Sequence, residues 1–117
     1  MFQEILQRVV GDVPGAAGVI FADREGESVE YVSNGQDEDI KLLGAHHGII
    51  LNLAREVSEN CAQGGIKGML VSSEVGRVVV QPVKEGYYLA MLLPPHGNIG
   101  IAFKKLREAA ELFRQEI

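Results

Sequence analysis

Three histidines, one cysteine and several glycine-rich stretches are the residues that could do chemistry in this 117-residue chain. His46 and His47 are neighbours, so on a helix their rings point about 100° apart and cannot jointly grip one metal ion. A zinc-binding helix needs ligands at i and i+4, and the residues four away from His47 are Leu43 and Leu51. His96 lies far along the chain in a loop, with no Cys or carboxylate arrangement to complete a coordination set. The expected roles for the histidines are therefore polar or interfacial. Cys61 falls among apolar positions, where a buried cysteine acts as a small hydrophobe, and nothing indicates the base and oxyanion site that a nucleophile requires. Glycines between Gly11 and Gly18 lack a following Lys-Ser or Lys-Thr, which excludes a Walker loop. Gly97-Asn98-Ile99-Gly100 opens a helix whose N–H groups could hold an anion, but a lone helix start is common and a plain loop and cap is the expected reading. No catalytic constellation, metal site or cofactor site is expected, and the chain does not read as an enzyme.

Composition narrows the classes further. Hydrophobic residues make up 46% and charged residues 23%, which is globular and neither disordered nor membrane-like. A net charge of -5 argues against nucleic acid as a partner, because phosphate contacts need clustered Lys and Arg. No apolar run approaches the roughly 18 residues of a membrane helix, so no membrane insertion is expected. The start, Phe2-Gln3-Glu4, lacks the basic then apolar layout of a signal peptide, and one cysteine suits a reducing compartment; both point to the cytoplasm. The length predicts one domain over residues 1–117.

The elements that position these residues are well punctuated. Phe2, Ile5, Leu6, Val9 and Val10 repeat at helical spacing, closed by Gly11 and Pro14. Ala16–Ala22 is apolar on both alternating faces, as an inner strand would be, and Asp23-Arg24-Glu25-Gly26 turns the chain into a second strand, Ser28–Ser33. A long helix follows over Asp37–Ala62, with Asp37, Glu38 and Asp39 where its dipole favours acids and Gln63-Gly64-Gly65 as its stop. Ile66–Ser73, Arg77–Val83 and Tyr87–Leu93 form a three-strand antiparallel meander, and Asn98 caps a final amphipathic helix running to Ile117. The expected architecture is α+β: an α/β/α sandwich with a five-stranded antiparallel sheet, in the order α-β-β-α-β-β-β-α.

The long helix is unbalanced. Its apolar arc runs from Leu42, Ile49 and Leu53 through Val57, Ile50, Leu43, Cys61 and Ala54 to Ile40 and Leu51. That arc covers roughly 200°, whereas packing on one sheet needs little more than 100°. The surplus calls for a second partner, either another copy or another protein. A homodimer is expected, with Ile40, Leu42, Leu43, His46, His47, Ile49, Ile50, Leu53 and Val57 of the helix and Met69 and Val71 of the third strand at its interface. Gly44 and Gly48 each cost about 1 kcal/mol relative to Ala in a helix, and they mark either the close approach of another backbone or a local break. Arg55, on the polar flank, is either a solvated charge or a partner contact.

The strand Gly15-Ala16-Ala17-Gly18-Val19-Ile20-Phe21 with its turn Asp23-Arg24-Glu25-Gly26, the strand Gly76-Arg77-Val78-Val79-Val80-Gln81-Pro82-Val83, and the helix start Asn98-Ile99-Gly100-Ile101-Ala102 resemble the Roadblock family of dynein light-chain type. The resemblance covers nearly the whole chain in element order. It implies a dimer built by pairing the third strands across a two-fold axis with the second helices side by side. It also implies a non-enzymatic adaptor or regulator of a Ras-like small GTPase or a motor complex. The alternative function is a small-molecule sensor domain of profilin- or PAS-like architecture, which shares a helix-flanked antiparallel sheet.

Overall fold

Gly and Pro punctuation divides the chain into its elements in a computed structural model, which describes the backbone of residues 1–35 and 37–117 and the side chains of 1–35 and 39–117. In order these are α1 (Phe2–Asp12), β1 (Gly18–Ala22), β2 (Ser28–Ser33), α2 (Asp37–Asn60), β3 (Met69–Ser72), β4 (Arg77–Pro82), β5 (Tyr88–Leu93) and α3 (Ile99–Arg114). The strands form one antiparallel sheet in the order β2-β1-β5-β4-β3. All five residues of β1 are buried, as its two apolar faces demand, because β1 lies between β2 and β5 with helices on either side.

Alternation along the strands splits the core into two layers. On one face α1 and α3 pack Leu6, Val9, Leu106 and Phe113 against Val19, Phe21, Val79 and Met91. Phe2, Phe21 and Phe113 meet there with ring centroids 4.5 to 5.2 Å apart. On the other face α2 lies over β2, β1 and β5, and Ile40 and Leu51 join a core of Ile20, Ala22, Val80, Tyr88 and Ala90. The α/β/α sandwich and its element order are those expected from the sequence.

β1 begins at Gly18 and not Ala16, β4 ends at Pro82 and not Val83, and β5 begins at Tyr88 and not Tyr87; three further boundaries differ for local reasons. β3 is shorter than Ile66–Ser73: its ladder to β4 pairs only Met69–Ser72 with Arg77–Val80. Just upstream, the Lys67 carbonyl accepts from Gln81 Nε2 at 3.2 Å, and Gly68 lies against the Phe103 ring of α3. Helix α2 stops at Asn60, before the glycines. Ala62 adopts a left-handed φ of 55°. There the Gln63 N–H donates to Ser58 O at 2.8 Å and the Ala62 N–H to Glu59 O at 3.2 Å, a Schellman closure with Ala where Gly is the usual residue. Helix α3 ends at Arg114, and its start is as expected, with Asn98 Oδ1 accepting from the Ile101 N–H at 3.0 Å. The acidic start expected of Asp37 and Glu38 lies outside the described side chains. Among the described residues, no helix is long and apolar enough to cross a membrane.

Candidate partner surface

Helix α2 has two apolar sides, and they do different work. The inner side presents Ile40, Gly44, Gly48, Leu51 and Ser58, all buried. A Cβ on Gly44 would stand 2.7 Å from Ile20 Cγ2, and one on Gly48 would run into the Tyr88 hydroxyl. That hydroxyl donates to the Gly44 carbonyl at 2.7 Å. The two glycines therefore let α2 sink onto the chain's own sheet, which removes Gly44 and Gly48 from the partner-facing residues and excludes a helix break. Ile40 leaves the interface set as well, because it is 3% exposed and packs on the β1–β5 core; Leu43 packs partly against the same core. His47 is half-buried, with Nδ1 2.8 Å from the Leu43 carbonyl, an acceptor that requires the proton on that nitrogen.

The outer side is a stripe of uncovered hydrophobes. Leu42, Ile49, Leu53 and Val57 are 57–62% exposed and Ile50 is 40% exposed. His46 lies among them, also exposed. Cys61 ends the stripe and is exposed, not buried. At its C-terminal end the stripe opens into an almost wholly apolar groove of about 620 Å³, bounded by Ile50, Leu53, Ala54, Val57, Cys61 and Ile66. Met69 and Val71, half-buried on β3, pair with Val80 and Val78 and so share the sheet face that α2 covers. Burying one such aliphatic side chain is worth about 1.5–3 kcal/mol, so a partner covering this stripe would gain several.

On the opposite flank Arg55 forms a second, polar feature. It faces a cleft of about 470 Å³ lined by Arg24, Asn52, Arg55, Glu56, Glu59 and Gly86. Burial and then the nearby Arg24 charge hold its guanidinium below the usual arginine range, with Tyr88 acting the other way. Tyr88 itself is pushed up to about 12, first by burial and then by Asp23, with Arg55 opposing. Among the described residues, no group of three or more His, Cys, Asp and Glu side chains is gathered for a metal ion.

The family model for the Roadblock/LC7 domain matches residues 1–93. The chain belongs to the Roadblock/LC7 family. Among solved structures it is similar to a Roadblock/LC7 domain from Streptomyces avermitilis, with 13% identity, 97% of this chain and 95% of that one covered, and a TM-score of 0.89. It is also similar to MglC from Myxococcus xanthus, at 28% identity, 99% and 98% coverage and a TM-score of 0.70. For MglB of the same organism the values are 11%, 97%, 92% and 0.86. No curated protein matches the sequence significantly.

Within this Roadblock/LC7 fold, two elements of the polar cleft escape a reading along the sequence. Arg24 reads as an ordinary turn residue and Gly86 as an ordinary turn glycine. Only the sheet order, which brings the β1–β2 turn beside the β4–β5 turn, places both next to Arg55. Arg55 was legible as a possible partner contact, but Arg24 stands out only as a basic residue in an acidic chain.

Proposed function

We propose that this Roadblock/LC7 chain is a non-enzymatic adaptor that forms a homodimer through the outer side of α2 and the β3 edge, and that the dimer binds a Ras-like small GTPase and modulates its cycle. The observation that carries this reading is the outer stripe: four large aliphatic side chains more than half exposed on one helix face, continuous with an apolar groove. Large contiguous apolar patches on soluble proteins mark interaction sites. The interface residues proposed are Leu42, His46, Ile49, Ile50, Leu53 and Val57 with Met69 and Val71, and His47 at the margin. A symmetric interface there would bury on the order of 1,600 Å² in total or more.

The GTPase partner rests on the family resemblance. Such a partner supplies its own catalytic residues, and an adaptor accelerates hydrolysis by ordering them without donating an arginine. A two-fold platform offers one cleft on its axis, so one GTPase per dimer is the expected ratio. Selectivity for one nucleotide state corresponds to a coupling of about 1–3 kcal/mol, or about 5- to 150-fold in affinity. The test loads the small GTPase encoded nearest to this gene with GDP or a GTP analogue, then measures binding and hydrolysis with and without the protein. Nucleotide-dependent binding supports the proposal. Equal affinity for both states with no rate change would reduce the chain to a passive scaffold. A monomer that carries a small molecule in its core would replace the adaptor with the sensor reading.

A further inference from the structure

Arg24 and Arg55 lie on the other side of α2 from the surface just proposed for dimerisation, and the Glu56 wall of the cleft adjoins that surface. Arg55 is two positions from Leu53, so the two side chains leave the helix roughly 160° apart. Covering the apolar stripe therefore leaves the cleft open. Its walls come from three places: Arg24 from the β1–β2 turn, Asn52, Arg55, Glu56 and Glu59 from α2, and Gly86 from the β4–β5 turn.

We propose that the space between Arg24 and Arg55 is an oxyanion site, which takes a single carboxylate or phosphate group between the two guanidinium ions. Three observations support it. First, among the described residues neither arginine forms an ion pair, although the chain carries an excess of acids. Glu56 and Glu59 line the same cleft, yet neither lies within ion-pair distance of Arg24 or Arg55, so both guanidinium ions are left for an added anion. Second, the arginines are positioned. Arg55 Nη1 donates to Asn52 Oδ1 at 3.1 Å, and Asn52 Nδ2 donates to the Arg24 carbonyl at 3.4 Å, so one amide tethers the helix to the turn. Third, Gly86 holds φ at 89°, and a Cβ there would stand 2.6 Å from Arg24 Nε. Its missing side chain is what lets the Arg24 side chain lie across that turn.

Guanidinium forks match carboxylate and phosphate geometry, and charge-assisted hydrogen bonds of this kind are about twice as strong as neutral ones. Glu56 and Glu59 at the rim repel extended polyanions, which restricts the site to one acidic group. That group comes either from an acidic side chain of a protein or from a free phosphate. The carboxylate and phosphate probes separate these sources.

The experiment titrates the folded protein with inorganic phosphate and, separately, with acetate, following the arginine Nε–H signals by NMR. Saturable shifts at both Arg24 and Arg55, weakened roughly tenfold or more in Arg24→Gln and in Arg55→Gln, are expected from the loss of one charge-assisted partner. Gly86→Ala should weaken binding as well by displacing Arg24. Tighter acetate binding identifies a protein carboxylate as the natural occupant, and tighter phosphate binding a free phosphate. Leu53→Glu should leave binding unchanged, so failure of the dimer and failure of this site are separable. Linear shifts that never saturate, or equal binding in wild type and both arginine variants, would overturn the site.

Discussion

Gly48→Ala is the substitution whose sign tests how α2 is seated. On an open helix this change stabilises by about 1 kcal/mol, because alanine is the better helix former. Here the new methyl runs into the Tyr88 hydroxyl, and Tyr88 Cζ stands 2.8 Å behind it. The ring cannot retreat freely, since Tyr88 is 1% exposed and its hydroxyl is held by the Gly44 carbonyl. Overpacking of this kind costs about 1–3 kcal/mol. Breaking a buried hydrogen bond adds about 1–3 kcal/mol. Set against the helix gain, the expected result is a net loss of about 1–5 kcal/mol. Urea unfolding followed by circular dichroism measures it. The cause is isolated by Tyr88→Phe, which alone should cost about 1 kcal/mol, and by the double variant, in which removal of the hydroxyl relieves part of the clash. A coupling of about 1 kcal/mol or more between the two changes is expected, because the sites touch. A stabilised Gly48→Ala, or strict additivity in the cycle, would refute the claim that these glycines seat the helix on its own sheet.

Ala62→Gly should stabilise the protein by about 0.5–1 kcal/mol in the same assay, since glycine holds the left-handed C′ position of α2 without a Cβ penalty; a loss would contradict the closure described at Ser58 and Glu59. Tyr88 is held neutral with its pKa raised from 10.0 to about 12, so the folded state keeps its proton where the unfolded state has lost it. That contribution is whole below pH 10 and falls away as pH rises toward 12; chemical denaturation across this window should show the decline, and Tyr88→Phe should flatten it. Leu53→Glu, at a position 57% exposed, should leave helical content and the unfolding midpoint of the monomer nearly unchanged while shifting sedimentation toward monomer; a wild-type protein that stays monomeric at high micromolar concentration would end the dimer proposal.

Periodicity exposed much of this architecture because most elements carry one stripe for one face. Ser28–Ser33 has the boundaries its alternation indicates, and Asn98 caps α3 as its position before an apolar run suggests. The surplus on α2 was legible for the same reason: a helix wheel counts apolar positions without needing to know what they touch. What the wheel cannot do is assign each edge of a wide arc to its neighbour. Ile40 and Leu42 are two residues apart, yet one is in the core and the other in the open. The glycines failed in the same way, since Gly44 and Gly48 announce a close approach but not whose atoms approach. The Arg24–Arg55 pair was hidden because the two charges are 31 positions apart in sequence and share a cleft only when the sheet is ordered.

The sheet order also sets a timetable. β1 comes early in the chain, yet one of its two neighbours is β5, which the ribosome makes only after α2, β3 and β4. Synthesis at roughly 5–20 residues per second leaves several seconds in which the β1–β2 hairpin has emerged without that neighbour. During this interval Val19, Ile20 and Phe21 have no β5 beside them, and Val19 and Phe21 have no α3 over them. The nascent chain is then at its most adhesive, and a chaperone or a neighbouring nascent chain competes for the same strand edge that β5 will occupy. Folding of this protein is thereby tied to translation speed through residues 23–93, and slow codons in that stretch lengthen the exposure of its most buried strand.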